Sequence, residues 1–392
     1  MTGEGAGARE STAIGKDEVA PVGRASGILA AQDLRAMIAQ GQISAEVPIG
    51  EAQVQPASLD LRLADHAYRV RASFLPGPGA TVADRLEAFA MHRFDLGDGA
   101  VLEKGCVYIV PLQERLALKS RVAGIANPKS STGRLDVFTR LITDHSAVFE
   151  HVAPGYRGPL YAEISPRTFS VVVRRGACLN QLRLRRGAPS TSDSVIRRLQ
   201  DEVGLIDAGR GEADIADGIA VTVNLSGGAR AGGGEGRAVG WRARHHAALI
   251  DLDRIGHYDP LEYWEPVRAD GNGAVILNPG DFYILASKES VTVPPDHAAE
   301  MRPYDTRVGE FRVHYAGFFD PGFGHVSSDG SGSRAVLEIR SFEVPFVLRD
   351  GQLVGRLVYE RLTQVPDKLY GVGIGSSYQR QRLALAKQFR RG

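Results

Sequence analysis

Residues 127–136 read Asn-Pro-Lys-Ser-Ser-Thr-Gly-Arg-Leu-Asp. Lys129, Ser130, Ser131 and Arg134 place two cations, two hydroxyls and the amides of a tight turn in one loop, straight after a proline. Charge-assisted donors beside exposed N–H groups suit phosphate oxygens. Taken alone, the stretch reads more simply as a solvated loop between strands. A matching place further along, residues 302–307, reads Arg-Pro-Tyr-Asp-Thr-Arg. Arg302 and Arg307 keep its basic ends, but Pro303 and Tyr304 stand where the serines were.

Glu163 and Glu338 are the other residues that could do chemistry. Each lies in an apolar run, Leu-Tyr-Ala-Glu-Ile and Ala-Val-Leu-Glu-Ile. Hydrocarbon surroundings disfavour the anion unless it is partnered, which moves the pKa up toward the range useful for proton transfer near neutral pH. The plainer alternative is a glutamate on the outward face of a strand, paired with an arginine. Meeting the same context twice puts the two readings level.

What positions these residues is a chain that repeats itself. Gly105 and Gly280, Tyr108 and Tyr283, Glu114 and Glu289, Glu163 and Glu338, and Gly176 and Gly351 are each 175 positions apart, in like apolar contexts. An internal duplication follows, with loop insertions making the spacing between anchors wobble. Both copies are rich in short alternating runs such as Val-Tyr-Ile-Val-Pro-Leu and Ala-Val-Thr-Val-Asn-Leu, which predict half-buried strands. Pro-Gly pairs at 154–155, 279–280 and 321–322 punctuate them. The expectation is a mainly β protein, with a barrel or jelly roll in each copy. Two helices are predicted, over 29–43 with Gly41 as its stop, and over 193–206 between the copies.

Composition excludes several classes. The chain has 392 residues and a net charge of +1, from 47 basic and 46 acidic side chains, so no sequence-wide positive field exists to hold a nucleic acid. Any polyanion bound here is a small one met by a local cluster. Cys106 and Cys178 sit in apolar runs, which reads as buried, inert thiols in a reducing cytoplasm. No apolar stretch approaches the roughly 20 residues that span a bilayer, so no membrane is implied. The glycine-rich start lacks a signal core and reads as a flexible leader. His145, His151, His245 and His246 show no metal-ligand spacing, and the absence of Cys-x-x-Cys closes the zinc-deaminase route. The Gly-rich stretch 227–236 lacks a Gly-Lys-Ser/Thr ending, so it reads as a hairpin insert and not as a phosphate loop.

Taken in order, five stretches resemble the dCTP deaminase branch of the trimeric dUTPase-like superfamily. Residues 42–70, with Pro-Ala-Ser-Leu-Asp-Leu-Arg-Leu, resemble its entry segment. Pro-Lys-Ser-Ser-Thr-Gly-Arg resembles its Arg-Ser-Ser-x-x-Arg phosphate motif, with Lys129 in the first basic place. Residues 314–324 resemble the base-binding hairpin that ends in Asp-Pro-Gly-Phe, which implicates Ala316, Phe318 and Asp320. The runs around Glu163 and Glu338 resemble the strand that carries the catalytic glutamate. Residues 375–389 resemble a C-terminal segment that closes over the triphosphate, which implicates Tyr378, Gln379 and Gln381.

The resemblance implies two tandem dUTPase-like distorted β-barrels, jelly-roll-like, with a few short helices. It implies hydrolysis of dCTP to dUTP and ammonia by a glutamate base, with no catalytic metal and Mg2+ bound with the triphosphate. The segments expected are a leader 1–25, a first domain 26–190, a helical linker 191–215, a second domain 216–370 and a tail 371–392. Family sites lie between neighbouring barrels, so a homo-oligomer is implied, a trimer or multiple of three. The copies depart from the family pattern in complementary ways: the first has Ala153 where the hairpin carries Asp, and the second has lost both serines. A composite site follows, with Ser130 and Arg134 from one copy and Asp320, Glu338 and the tail from another. The reciprocal pairing of Glu163 with Arg302 and Arg307 would be degenerate or structural. Competing expectations are a dUTP pyrophosphatase or bifunctional enzyme making dUMP, and a nucleotide sensor with dead sites.

Overall fold

The computed structural model describes residues 26–188, 191–208, 211–226, 238–303, 311–314, 317–325, 332–341, 343–371 and 383–391. Strands dominate, and the sheets of the first half recur in the second in the same order. In the first half, Cys178–Arg186 lies between Val122–Pro128 and the strands Gly27–Ile28 and Leu59–Arg62, and His151–Val152 closes the far edge. In the second half, Leu353–Arg361 lies between Ile219–Thr222 and His297–Pro303, and Phe318–Phe319 closes the edge.

A second pair of sheets carries the two glutamates. The first glutamate strand, Arg157–Pro166, lies between Val107–Ala117 and Val137–Thr143. The second, Ser333–Ser341, lies between Phe282–Val291 and Phe311–His314. Backbone register is kept as well: Glu163 faces Ile109, and Glu338 faces Ile284, again 175 positions apart.

The anchors repeat their work. Gly105 and Gly280 take φ of 78° and 76°, a left-handed turn before the long strand that a side chain would strain. The Tyr108 hydroxyl accepts the Glu103 N–H at 3.0 Å, and that of Tyr283 accepts the Asn278 N–H at 3.0 Å. Glu114 accepts the backbone N–H of Arg62 at 2.9 Å, and Glu289 that of Thr222 at 2.8 Å, so each carboxylate satisfies a strand amide.

Each half packs its own apolar core, one around Leu59, Val110, Leu141 and Leu182, the other around Val221, Leu285, Leu337 and Leu357. The first core also takes in Trp264 and Phe389 from the second half of the chain. The expected helices form over Ala31–Ala39 and Asp193–Val203. A third helix, Val82–Phe89, was not expected. Its signal is a capping box: the Thr81 hydroxyl accepts the Asp84 N–H at 3.2 Å, and the Asp84 carboxylate accepts the Thr81 N–H at 2.7 Å. Both cysteines are half-buried and not fully enclosed, a correction to the expected buried thiols. The loss of hydration and the nearby Asp60 push the Cys178 thiol up to about 12, so it is inert at neutral pH. No described helix is long and apolar enough to cross a membrane.

Candidate active site

The loop at 129–134 begins where the strand Val122–Pro128 ends. The Lys129 N–H still donates to Leu179 O at 2.9 Å. Its carbonyl then accepts the Thr132 and Gly133 amides at 2.8 and 3.0 Å, and Ser130 O accepts the Arg134 N–H at 3.1 Å. One helical turn, Ser130–Gly133, results. It buries Thr132 and Gly133, leaves Ser131 half-buried and Ser130 exposed, and sends Arg134 inward with only 3% of its surface exposed.

Arg134 meets the second half of the chain twice. Its Nη1 donates to Ala384 O in the C-terminal segment at 3.2 Å, and its Nε stands 3.9 Å from Glu338 Oε1. Glu338 is 6% exposed. Burial pushes its carboxyl up to about 8; Arg134 and the local backbone oppose that shift without cancelling it. The apolar context read from the sequence therefore produces a carboxyl that ionises near neutral pH. Glu338, Arg134 and the tail come together within one chain, across the two copies.

Glu163 occupies the equivalent strand position but a different environment. The residue directly opposite on Val137–Thr143 is Arg140. Arg140 donates to Glu163 Oε1 from Nε at 3.1 Å and from Nη2 at 2.5 Å. Its guanidinium lies 3.4 Å above the centre of the Phe149 ring. Glu163 is thus held as half of a stacked, two-pronged ion pair.

Within this chain, Arg302 does not stand opposite Glu163. Arg302 is exposed on the strand His297–Pro303, and Arg140 is already opposite Glu163. Arg307, Ala316, Tyr378, Gln379 and Gln381 lie outside the described residues.

Lys129, expected as a phosphate ligand, is half-buried. It forms an ion pair with the buried Asp60. Burial raises the Asp60 carboxyl, while Lys129 and Lys387 pull it down. Burial, then Lys129, lowers the Lys387 ammonium. The loop at 129–134 and the tail therefore bring two lysines to one carboxylate.

Asp320 and Phe318 sit in the hairpin of the second copy, both buried. Asp320 Oδ1 accepts Arg183 Nη2 at 3.2 Å, and the Arg183 guanidinium lies 3.9 Å over the Phe318 ring. Burial raises the Asp320 carboxyl against the pull of Arg183 and Lys129.

The tail is docked and not free over the described residues 383–391. Gln388 Nε2 donates to Leu252 O at 3.0 Å, the Arg390 N–H donates to Tyr258 O at 2.9 Å, and the Phe389 ring centre lies 5.5 Å from that of Tyr263.

Four residues escaped the sequence reading: Asp60, Asp136, Arg183 and Arg340. Asp136 accepts the Thr168 hydroxyl at 2.6 Å and pairs with Arg340, two residues beyond Glu338 on the same face of its strand. This strut crosses between the copies beside the Arg134–Glu338 contact. A signal for Arg340 existed in the duplication, because the first copy has Ser165 at that position.

The site has a consequence for stability. A carboxyl raised when folded is ionised only in the unfolded chain between pH 4.5 and about 8, so it draws stability away as pH rises through that window. Glu338→Gln removes this penalty. The melting temperature of the variant relative to the parent should therefore climb between pH 5 and 9, by an equivalent of at most about 4 kcal/mol. A constant gap across that range would show that Glu338 titrates normally.

The chain belongs to the 2'-deoxycytidine 5'-triphosphate deaminase family: the model of the family's N-terminal domain matches residues 25–188 and that of its C-terminal domain residues 192–389. Among solved structures, the 2'-deoxycytidine 5'-triphosphate deaminase from Agrobacterium tumefaciens is 53% identical, with a TM-score of 0.81, over 86% of this chain and 100% of that one. Shorter relatives match as well. The "dCTP deaminase, dUMP-forming" of Beutenbergia cavernae is 32% identical over 36% of this chain and 73% of its own length. That of Streptomyces coelicolor is 33% identical over 36% of this chain and 74% of its own.

Proposed function

We propose that this chain hydrolyses dCTP to dUTP and ammonia at the site where Arg134 of the first copy meets Glu338 of the second. The observation that carries this reading is Glu338 itself: a carboxyl only 6% exposed, whose burial pushes its pKa up to about 8, standing 3.9 Å from the buried guanidinium of Arg134. Ionised Glu338 accepts a proton from water as the hydroxide adds to C4 of cytosine. It returns protons toward the ring and the amine, and the C4–N bond breaks to release ammonia. The hydroxyls of Ser130 and Ser131 and the Arg134 guanidinium hold the triphosphate, which enters with its Mg2+ as substrate. The hairpin with Ala316, Phe318 and Asp320 holds the base, and Tyr378, Gln379 and Gln381 close over the phosphates. Each copy forms a distorted dUTPase-like barrel. Two barrels per chain leave a three-barrel ring open, so the chain assembles in the cytoplasm as a trimer or multiple of three.

Because kcat/KM reports ionisation of the free enzyme, it should rise about tenfold per pH unit below 8 and level off above. A flat profile from pH 6 to 9 would remove Glu338 from the role of base.

A second reading follows from the relatives named as dUMP-forming. Pyrophosphate release would need a carboxylate free to activate water near the α-phosphate. Asp320 is tied to Arg183 and Asp60 to Lys129, which favours dUTP as the final product. Nucleotide analysis after exhaustive turnover of dCTP decides between dUTP with ammonia, and dUMP with ammonia and pyrophosphate.

A further inference from the structure

Arg183 is a fully buried cation that the reaction above does not use. It belongs to the first copy, on the strand Cys178–Arg186, yet its guanidinium hydrogen-bonds to the second. Nη1 donates to Ala299 O at 3.1 Å; Nη2 donates to Phe319 O at 3.4 Å and to Asp320 Oδ1 at 3.2 Å. Its flat face covers the Phe318 ring at 3.9 Å. A planar cation with several donors can hold two carbonyls, a carboxylate and a ring at once, which an ammonium cannot.

The duplication supplies an internal control. Arg183 lies opposite Ile125, and Val358 lies opposite Glu300, so Val358 is its counterpart in the second copy. The strand Phe318–Phe319 corresponds to His151–Val152, so the counterpart of Asp320 is Ala153. Arginine and aspartate are therefore both present at the hairpin of the copy that carries Glu338, and both absent at the hairpin of the copy that carries Glu163. Glu163 is the glutamate that Arg140 neutralises. A clamp needed only for folding would have no reason to follow the copy whose glutamate has no arginine directly opposite it on a neighbouring strand.

We infer that Arg183 is a positioning residue for the reaction: it reaches from one copy to fix the base-holding hairpin of the other against the phosphate loop. This inference rests on the deaminase reading. The phosphate tail is gripped by a separate loop, so the two grips can be measured apart, with inorganic tripolyphosphate as the probe of the second.

Arg183→Gln and Arg183→Lys, assayed in the full chain by ammonia release from dCTP, should lower kcat/KM about 10- to 100-fold, lysine less than glutamine. Inhibition by tripolyphosphate should stay within about twofold of the parent in both, because the phosphate loop is untouched. Unchanged kcat/KM in a folded variant overturns the inference. So does a parallel loss of tripolyphosphate inhibition, or failure of both variants to fold, since each makes Arg183 a general structural residue. A parent protein that releases no ammonia would instead remove the deaminase reading itself.

Discussion

Glu338→Gln should abolish ammonia release from dCTP, lowering kcat about 10²- to 10⁴-fold, the range lost with a general base. Glutamine keeps the size of the side chain and an acceptor for its neighbours, so binding of dCTP should survive. Glu163→Gln should behave in the opposite way. Its Oε1 is already engaged by Arg140, at 3.1 and 2.5 Å, so we expect it to move no proton to substrate. That variant should keep kcat within about threefold, yet lose about 1–3 kcal/mol of stability, because a guanidinium only 25% exposed loses its counter-charge. Single-turnover ammonia assays with thermal melts of both proteins check this. Equal loss of turnover in the two variants would mean that both copies carry working sites, and the composite assignment would fall.

The contrast between these two glutamates marks where sequence reading stops. That they are equivalent was legible: alternation, turn glycines and a 175-residue offset survive duplication, because strand geometry demands them in both copies. Which of them is free was not. The answer depends on what lies opposite across the sheet, and Arg140 is 23 residues away from Glu163 in sequence. Lys129 shows the same limit. Its place in a phosphate motif was readable, while its partner Asp60, 69 positions earlier, is brought to it by folding. Arg183 was harder still. In the run Arg-Leu-Arg-Arg it resembles a surface arginine on an alternating strand, and its target Asp320 lies 137 positions on, in the other copy. A local pattern reports which face of an element is buried, but not which distant group meets a charge there. The composite arrangement was nonetheless inferable, because each copy had lost a different half of the motif set.

Arg134 tests that arrangement most directly, since it touches three parts of the site at once. Arg134→Met keeps the length and apolar packing of the stem and removes only the cation. One charge-assisted grip on the triphosphate disappears, which raises KM about 10- to 100-fold. The tail loses the donor that meets Ala384 O at 3.2 Å, so its docking against the loop weakens. The third consequence carries a sign. Arg134 is the group that most opposes the upward push of burial on Glu338, so without it the carboxyl ionises at still higher pH. The rising limb of the kcat/KM profile should therefore move above pH 8, leaving a deficit at pH 7 of about 10²- to 10³-fold that narrows as pH is raised. A guanidinium that only bound phosphate would raise KM by the same factor at every pH. A pH-independent deficit would thus keep Arg134 as a substrate ligand and separate it from the base 3.9 Å away.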